Sequence, residues 1–336
     1  MKIFAFFAAI LATAFSLQAA ATPLETFCPH FSTNMPIIWQ ATTNQLLKSF
    51  WIYKRLPPRP FSSTVISNAV VLASLQSKRF PKPSINDFSL WEDKGPNYPG
   101  PIPVYFIISP KSATISYGLP HPGTNTMDIP ADKILIQRAW ADAAKLGVNP
   151  AQVAFKEMTS RFNHDESYND LTNQLCGRGV FLSRKLDGIL FWSNGTEDDD
   201  IGGFWIEFGS HGQIRAFSLV WLDLKRSELQ SVASPQQIIA CIRVFKTMSL
   251  PNGNETNYFE RLKSLAKAKK LTITKIMPCY DGEGVYGETP PNDEPSPTIA
   301  PFAKLEAIAD FGNSNVVVQL LSPIISSDVN RLLKAK

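Results

Sequence analysis

The sequence predicts an α+β fold, an antiparallel sheet meander backed by helices, and three observations carry that expectation. First, Asp187-Gly188 stands between two apolar runs, Val180 to Leu186 and Ile189 to Trp192. An Asp-Gly loop of two residues is the strongest short-range hairpin signal, because both of its positions need positive φ. Second, along Ile214 to Leu222 the residues Phe217, Leu219 and Trp221 alternate with Ala216, Ser218 and Val220, which is the period of a strand. Third, two segments carry helix start or stop chemistry. Pro130 to Leu146 opens on proline, shares Ile136, Trp140, Ala143 and Ala144 on one face, and meets a closing Gly147. Ser234-Pro235 begins the other, with Ser234 as cap and Ile238, Ile239, Ile242 and Phe245 inward.

The N-terminus reads as a leader. Met1-Lys2 is followed by an apolar run from Ile3 to Leu17 and by Ala19-Ala20-Ala21, small residues of the kind a signal peptidase accepts at −3 and −1. Residues 1–21 are therefore expected to be a signal peptide, with the mature chain starting at Thr22. The run falls short of the roughly 20 apolar residues that span a bilayer, and no later run approaches that length, so no membrane span is expected. The expected destination is secreted and extracellular, or the periplasm in a two-membrane bacterium.

Three regions follow the leader. An N-terminal α+β region, 22–125, has a helix from Thr64 to Phe80 and strands at Val104 to Ile108 and Ala113 to Tyr117. A central region, 126–250, holds the Pro130 helix and a four-strand meander, in which Phe204 to Phe208 and Ile214 to Leu222 flank the turn Gly209-Ser210-His211-Gly212. A C-terminal region, 251–336, has a helix from Tyr258 to Lys269 and strands at Leu271 to Met277 and Asn315 to Leu321. Proline-rich stretches at Leu56 to Pro60, Gly95 to Pro103 and Thr289 to Pro301 read as loops or extended linkers, since proline fixes φ and lacks a donor. The order helix, strands, helix, strands points to two similar halves, without an internal sequence repeat. The strand pair from Phe204 to Leu222, with the Pro235 helix after it, resembles the PepSY-type modules of secreted regulatory and inhibitory proteins.

Chemistry is sparse. The four cysteines, Cys28, Cys176, Cys241 and Cys279, are even in number in a secreted chain, so disulfides are expected, with three connectivities open. Cys241, among Ile238, Ile239 and Ile242, also suits a buried thiol. Asn194-Gly195-Thr196 and Asn254-Glu255-Thr256 are glycosylation sequons, which makes Asn194 and Asn254 candidate acceptors in a eukaryotic host. Glu197 to Asp200 lacks the spacing of a calcium loop. His30, His121, His164 and His211 are scattered, and neither a zinc nor a phosphate-loop motif occurs. The net charge of +4 is dispersed. Its one cluster, Lys263 to Lys270, reads as a solvated helix face, with no nucleic-acid module beside it.

These readings favour a secreted non-enzymatic protein that binds an extracellular macromolecule, without a cofactor. Trp192 and Trp205, on neighbouring strands, could form a binding platform if exposed, although core packing is the commoner fate of such residues. The alternative is a secreted hydrolase of glycosidase type. Paired carboxylates would carry that chemistry, at a separation that sequence does not reveal.

Overall fold

The computed structural model of the chain describes residues 29, 31–32, 34–42, 48–57, 59–75, 89–93, 104–119, 128–163, 174–192, 202–244, 247–250, 258–281 and 298–334. In chain order the first strands are β1 (Ile37–Trp39), β2 (Ser49–Arg55), β3 (Ser89–Asp93), β4 (Val104–Ser109) and β5 (Thr114–Gly118). Then come β6 (Val153–Asn163), β7 (Gln174–Leu186), β8 (Ile189–Trp192), β9 (Gly203–Phe208), β10 (Ile214–Val220) and β11 (Leu224–Ser231). The last are β12 (Met248–Leu250), β13 (Lys270–Asp281), β14 (Thr298–Ile299), β15 (Pro301–Asp310) and β16 (Asn315–Pro323). The helices are α1 (Ser63–Leu72), α2 (Asp132–Lys145), α3 (Pro235–Arg243), α4 (Tyr258–Leu265) and α5 (Ser326–Lys334). The fold is α+β, with largely antiparallel pairing that is mixed by parallel contacts of β13 with β1 and β8, and the described residues form no closed barrel. Among the described residues no helix is long and apolar enough to cross a membrane.

The chain divides into two compact units, each assembled from separated stretches. One comprises Leu47–Val232 and Pro278–Phe302; the other comprises Ala233–Met277, Ala303–Lys336 and the described residues up to 46. The strand pair β9–β10 belongs to the larger unit and helix α3 to the smaller one. The helix that packs on β9 is α2.

In the larger unit the sheet order is β7-β9-β10-β5-β4-β3, all antiparallel. The other edge of β7 takes β6 along residues 174–184 and β8 at Lys185 and Leu186. The strands thus do not follow one another in meander order. The 13-residue β7 outruns the four-residue β8 and leaves a whole edge for β9. The hairpin between β7 and β8 turns as expected, with Asp187 at φ 52° and Gly188 at φ 82°. A second sheet of three strands, β11-β2-β14, is also antiparallel.

One face of the main sheet is the core. Ile108, Ile115, Val180, Leu182, Phe204, Ile206, Phe217 and Leu219 are buried there with Ala69 and Leu72 of α1 and Leu135, Ala139 and Ala143 of α2. Ile136 and Trp140 flank that stripe half-buried, and Ala144 is exposed. Both helices end alike. Gly147, at φ 84°, closes α2 with bonds from Gly147 N to Ala144 O and from Val148 N to Ala143 O. Ser74, at φ 55°, closes α1 with bonds from Ser74 N to Val71 O and from Leu75 N to Val70 O. This is the Schellman arrangement, which glycine favours and serine adopts at a cost. It stops α1 at Leu72, well short of the expected Phe80.

The smaller unit orders its strands β12-β16-β15-β13, with β1 parallel to β13. Helix α3 packs on β16 and on α5. Its cap is reciprocal, since Gln237 N donates to Ser234 Oγ at 3.3 Å and Ser234 N donates to Gln237 Oε1 at 2.9 Å. The same Gln237 amide donates to Ser326 Oγ and Asn330 Oδ1, each at 3.1 Å, and so ties α3 to α5.

The expectation of disulfides is overturned. Cys176, Cys241 and Cys279 are all buried and in no disulfide. Cys241 packs inward on α3 beside Ile238 and Ile242, and burial pushes its thiol up to about 11. Cys176 donates from Sγ to Arg161 O at 3.4 Å. Each acts as a small core side chain. Cys28 lies outside the described residues.

Candidate functional site

The face of the main sheet opposite α1 and α2 has an unusual composition, fixed by cross-strand register. One row runs Thr159, Gly179, Glu207, Ala216, Gly118 and Tyr105 from β6 to β4. The next runs Glu157, Phe181, Trp205, Ser218, Ser116 and Ile107. Residues at the same height share a face because side chains alternate along each strand. The floor between Trp205 and Tyr105 is therefore made of small side chains. Ser116 and Ser218 share a hydrogen bond of 3.0 Å at its centre.

Two glycines let the aromatic rings approach the sheet. A Cβ at Gly118 would overlap the Tyr105 ring, and one at Gly179 would lie 2.8 Å from Trp205 Nε1 and overlap Thr159 Oγ1. Tyr105 and Trp205 are half-buried. With β10 and β5 between them, they stand about 14 Å apart across the sheet at the usual strand spacing of about 4.8 Å. Trp205 Nε1 is buried and has no hydrogen-bond partner among the described residues. A buried donor left in that state costs on the order of 1–3 kcal/mol.

The charge on this face is concentrated at one end. Glu207 is 2% exposed. Its Oε2 accepts from Arg161 Nη1 at 2.9 Å, and its Oε1 faces Arg215 Nε at 3.9 Å. Arg215, also buried, sits where the β9–β10 register shifts, and its Nη1 donates to Cys176 O at 3.2 Å. The bulge turns the arginine in toward Glu207. Gly177 makes room for the carboxylate, since a Cβ there would lie 2.5 Å from Glu207 Oε1. With guanidinium groups at both oxygens, Glu207 is an anchored anion. The other buried carboxylate among the described residues, Asp142, accepts from Lys145 Nζ at 2.7 Å. No group of three or more His, Cys, Asp or Glu side chains suited to a metal occurs among the described residues.

The structure gathers few of the residues singled out from sequence. Trp205 is on the face just described. The backbone of Trp192 ends β8, and its side chain is outside the described residues. Asn194, Asn254, the acidic run 197–200, His30, His121 and His164 also lie outside them. His211 occupies the turn between β9 and β10 at φ 53°, where its N–H donates to Asp128 O at 3.0 Å. Lys263, Lys267 and Lys269 are exposed, and Lys270 pairs with Asp310 at 3.2 Å. Sequence reasoning missed Tyr105, Glu207, Arg161 and Arg215. Only the glycine spacing in Gly177-Arg178-Gly179 hinted at a site of close approach on β7. No known protein-family model matches this chain, and no curated protein shows significant similarity to it.

Proposed function

We propose that the chain is a secreted, non-enzymatic protein that binds a partner protein across the outer face of its main sheet. The observation that carries this reading is the pair of half-buried rings, Trp205 and Tyr105, lying on glycines at either side of a small-residue floor. Tryptophan, tyrosine and arginine are the side chains that dominate protein–protein binding energy, and a centre of rings with charge at one end has the anatomy of such interfaces. Export rests on the leader read at residues 1–21. Arg161, exposed and held in place by Glu207, suits a rim that orients the partner.

The test compares wild type with Ser218→Arg, which places a bulky charge on the floor. Both proteins are immobilised after equal melting temperatures have been verified, then exposed to the extracellular proteins of the source. The reading expects a polypeptide held by wild type with dissociation slow enough to survive washing, and lost from Ser218→Arg. Retention of the same proteins by both would overturn it.

A further inference from the structure

A separate cleft of about 320 Å³ opens in the larger unit. That volume lies at the lower end of small-molecule sites, which usually run from about 300 to 1,000 Å³. One wall is made of Leu56, Pro57, Arg59, Pro60 and Phe61, another is the Pro110 to Ala113 turn, and the last runs from Leu219 near the end of β10 to Asp223 beyond it. Residues of the proline stretch that reads from sequence as a loop or extended linker thus line a cleft. Leu56 N donates to Asp223 O at 2.9 Å, and Trp221 N donates to Ala113 O at 2.9 Å, so both sides of the cleft are tied to the β10 end.

The cleft combines an apolar lining with charged side chains. Phe61, Val65, Leu146, Leu219 and Trp221 supply the apolar lining. Arg59 and Lys111, both exposed, also line it, and the single acid among the lining residues, Asp223, is paired with Arg59. Behind the Trp221 ring, at 4.4 Å, lies the guanidinium of Arg184, which is 4% exposed. Its Nη1 donates to Leu222 O at 2.5 Å, and its Nε has no hydrogen-bond partner among the described residues. Burial lowers the Arg184 pKa to about 10, so the group still carries its charge at neutral pH. A cation on one side of an indole draws electron density toward itself. The side left for a ligand then favours an electron-rich ring and a nearby negative charge.

We infer that this cleft binds a small aromatic carboxylate, its ring against Trp221 and its carboxylate toward Lys111 and Arg59. The inference is independent of the sheet-face reading, since none of the lining residues belongs to that face.

Calorimetric titration of the purified protein with 2-naphthoate tests it, with 2-naphthamide as the uncharged analogue of equal shape. The acid is expected to bind at least about tenfold more tightly than the amide, the range a single desolvated charge contact supplies. Lys111→Glu, at an exposed position, is expected to weaken the acid by about tenfold while leaving the amide and the melting temperature unchanged. Trp221→Leu is expected to weaken both. Absence of 2-naphthoate binding at millimolar concentration, equal affinity for acid and amide, or indifference to Lys111→Glu would each overturn the inference.

Discussion

The phenol of Tyr53 donates a 2.6 Å hydrogen bond to Asp187 Oδ2, joining residues 134 positions apart. Arg226, on the strand beside Tyr53, pairs with the other carboxylate oxygen of Asp187. Tyr280 meets Tyr53 edge-on, with ring centroids 5.5 Å apart at 84°, and donates from its own hydroxyl to Trp51 O at 2.9 Å. The turn of the β7–β8 hairpin is thereby fastened to β2 and β11 of the three-stranded sheet. Tyr53→Phe removes the bond while keeping the ring. It should cost about 1–2 kcal/mol in chemical denaturation, because Asp187 stays paired with Arg226. A variant as stable as the parent would show that the bond contributes nothing net.

Gly188 tests the backbone of the same turn. At φ 82° it lies where a β-branched residue is strained, yet nothing lies within 4 Å of a Cβ built on it. The penalty of a substitution is therefore conformational and not steric. Gly188→Val should destabilise by about 1–3 kcal/mol, and Gly188→Asn by far less, since asparagine tolerates the left-handed region. Thermal melts of the pair separate the two effects. Equal melting temperatures for valine and asparagine would contradict the assignment.

Alkali should unfold the protein through its buried phenols. Burial pushes Tyr117 up to about 12, and burial also raises Tyr280 and Tyr53, the latter helped by Asp187. A group whose folded pKa is raised binds its proton more tightly in the native state. Its contribution is complete below the unfolded value of about 10 and is lost as pH climbs through the folded value. For Tyr117 the two values lie about two units apart, worth on the order of 2–3 kcal/mol. Unfolding free energies should fall from about pH 10 upward, and Tyr117→Phe should flatten that fall. A flat profile from pH 9 to 12 in the parent would contradict the burial of these rings.

Local chemistry was legible in the sequence, and long-range pairing was not. Asp187-Gly188, Gly147 and the Ser234 cap announce themselves because each is settled by neighbours a few residues away. Strand β15 hides behind the preceding prolines although its inward residues alternate in the structure. Strand β11, Leu-Lys-Arg-Ser-Glu-Leu-Gln-Ser, lies at the edge of its sheet with mostly exposed side chains, so it lacks the apolar alternation that marks a half-buried strand. The candidate face depends on register between strands far apart in sequence, such as Ser116 opposite Ser218. Trp205 alone could be picked out beforehand. Its partners across the floor follow only once β9, β10, β5 and β4 are in order.

The disulfide expectation failed for a related reason. An even cysteine count in an exported chain is a compartment argument and says nothing of where each side chain points. Cys241 faces the core of its unit from α3, as the isoleucines around it suggested, and Cys176 is enclosed beneath Arg161 and Arg215.

The central claim is that a partner protein covers the outer sheet face, and photo-crosslinking tests it most directly. A benzophenone amino acid is placed at Ser218, on the floor between Trp205 and Tyr105, or at Val71, which is exposed on α1 at the opposite side of the sheet. After irradiation in the extracellular fraction of the source, position 218 should yield one discrete adduct that position 71 does not. Trp205→Ala, which removes the ring, should reduce that adduct by at least about tenfold, as expected of a central tryptophan. Equal adducts from both positions, or an adduct at 218 that survives Trp205→Ala undiminished, would contradict the account.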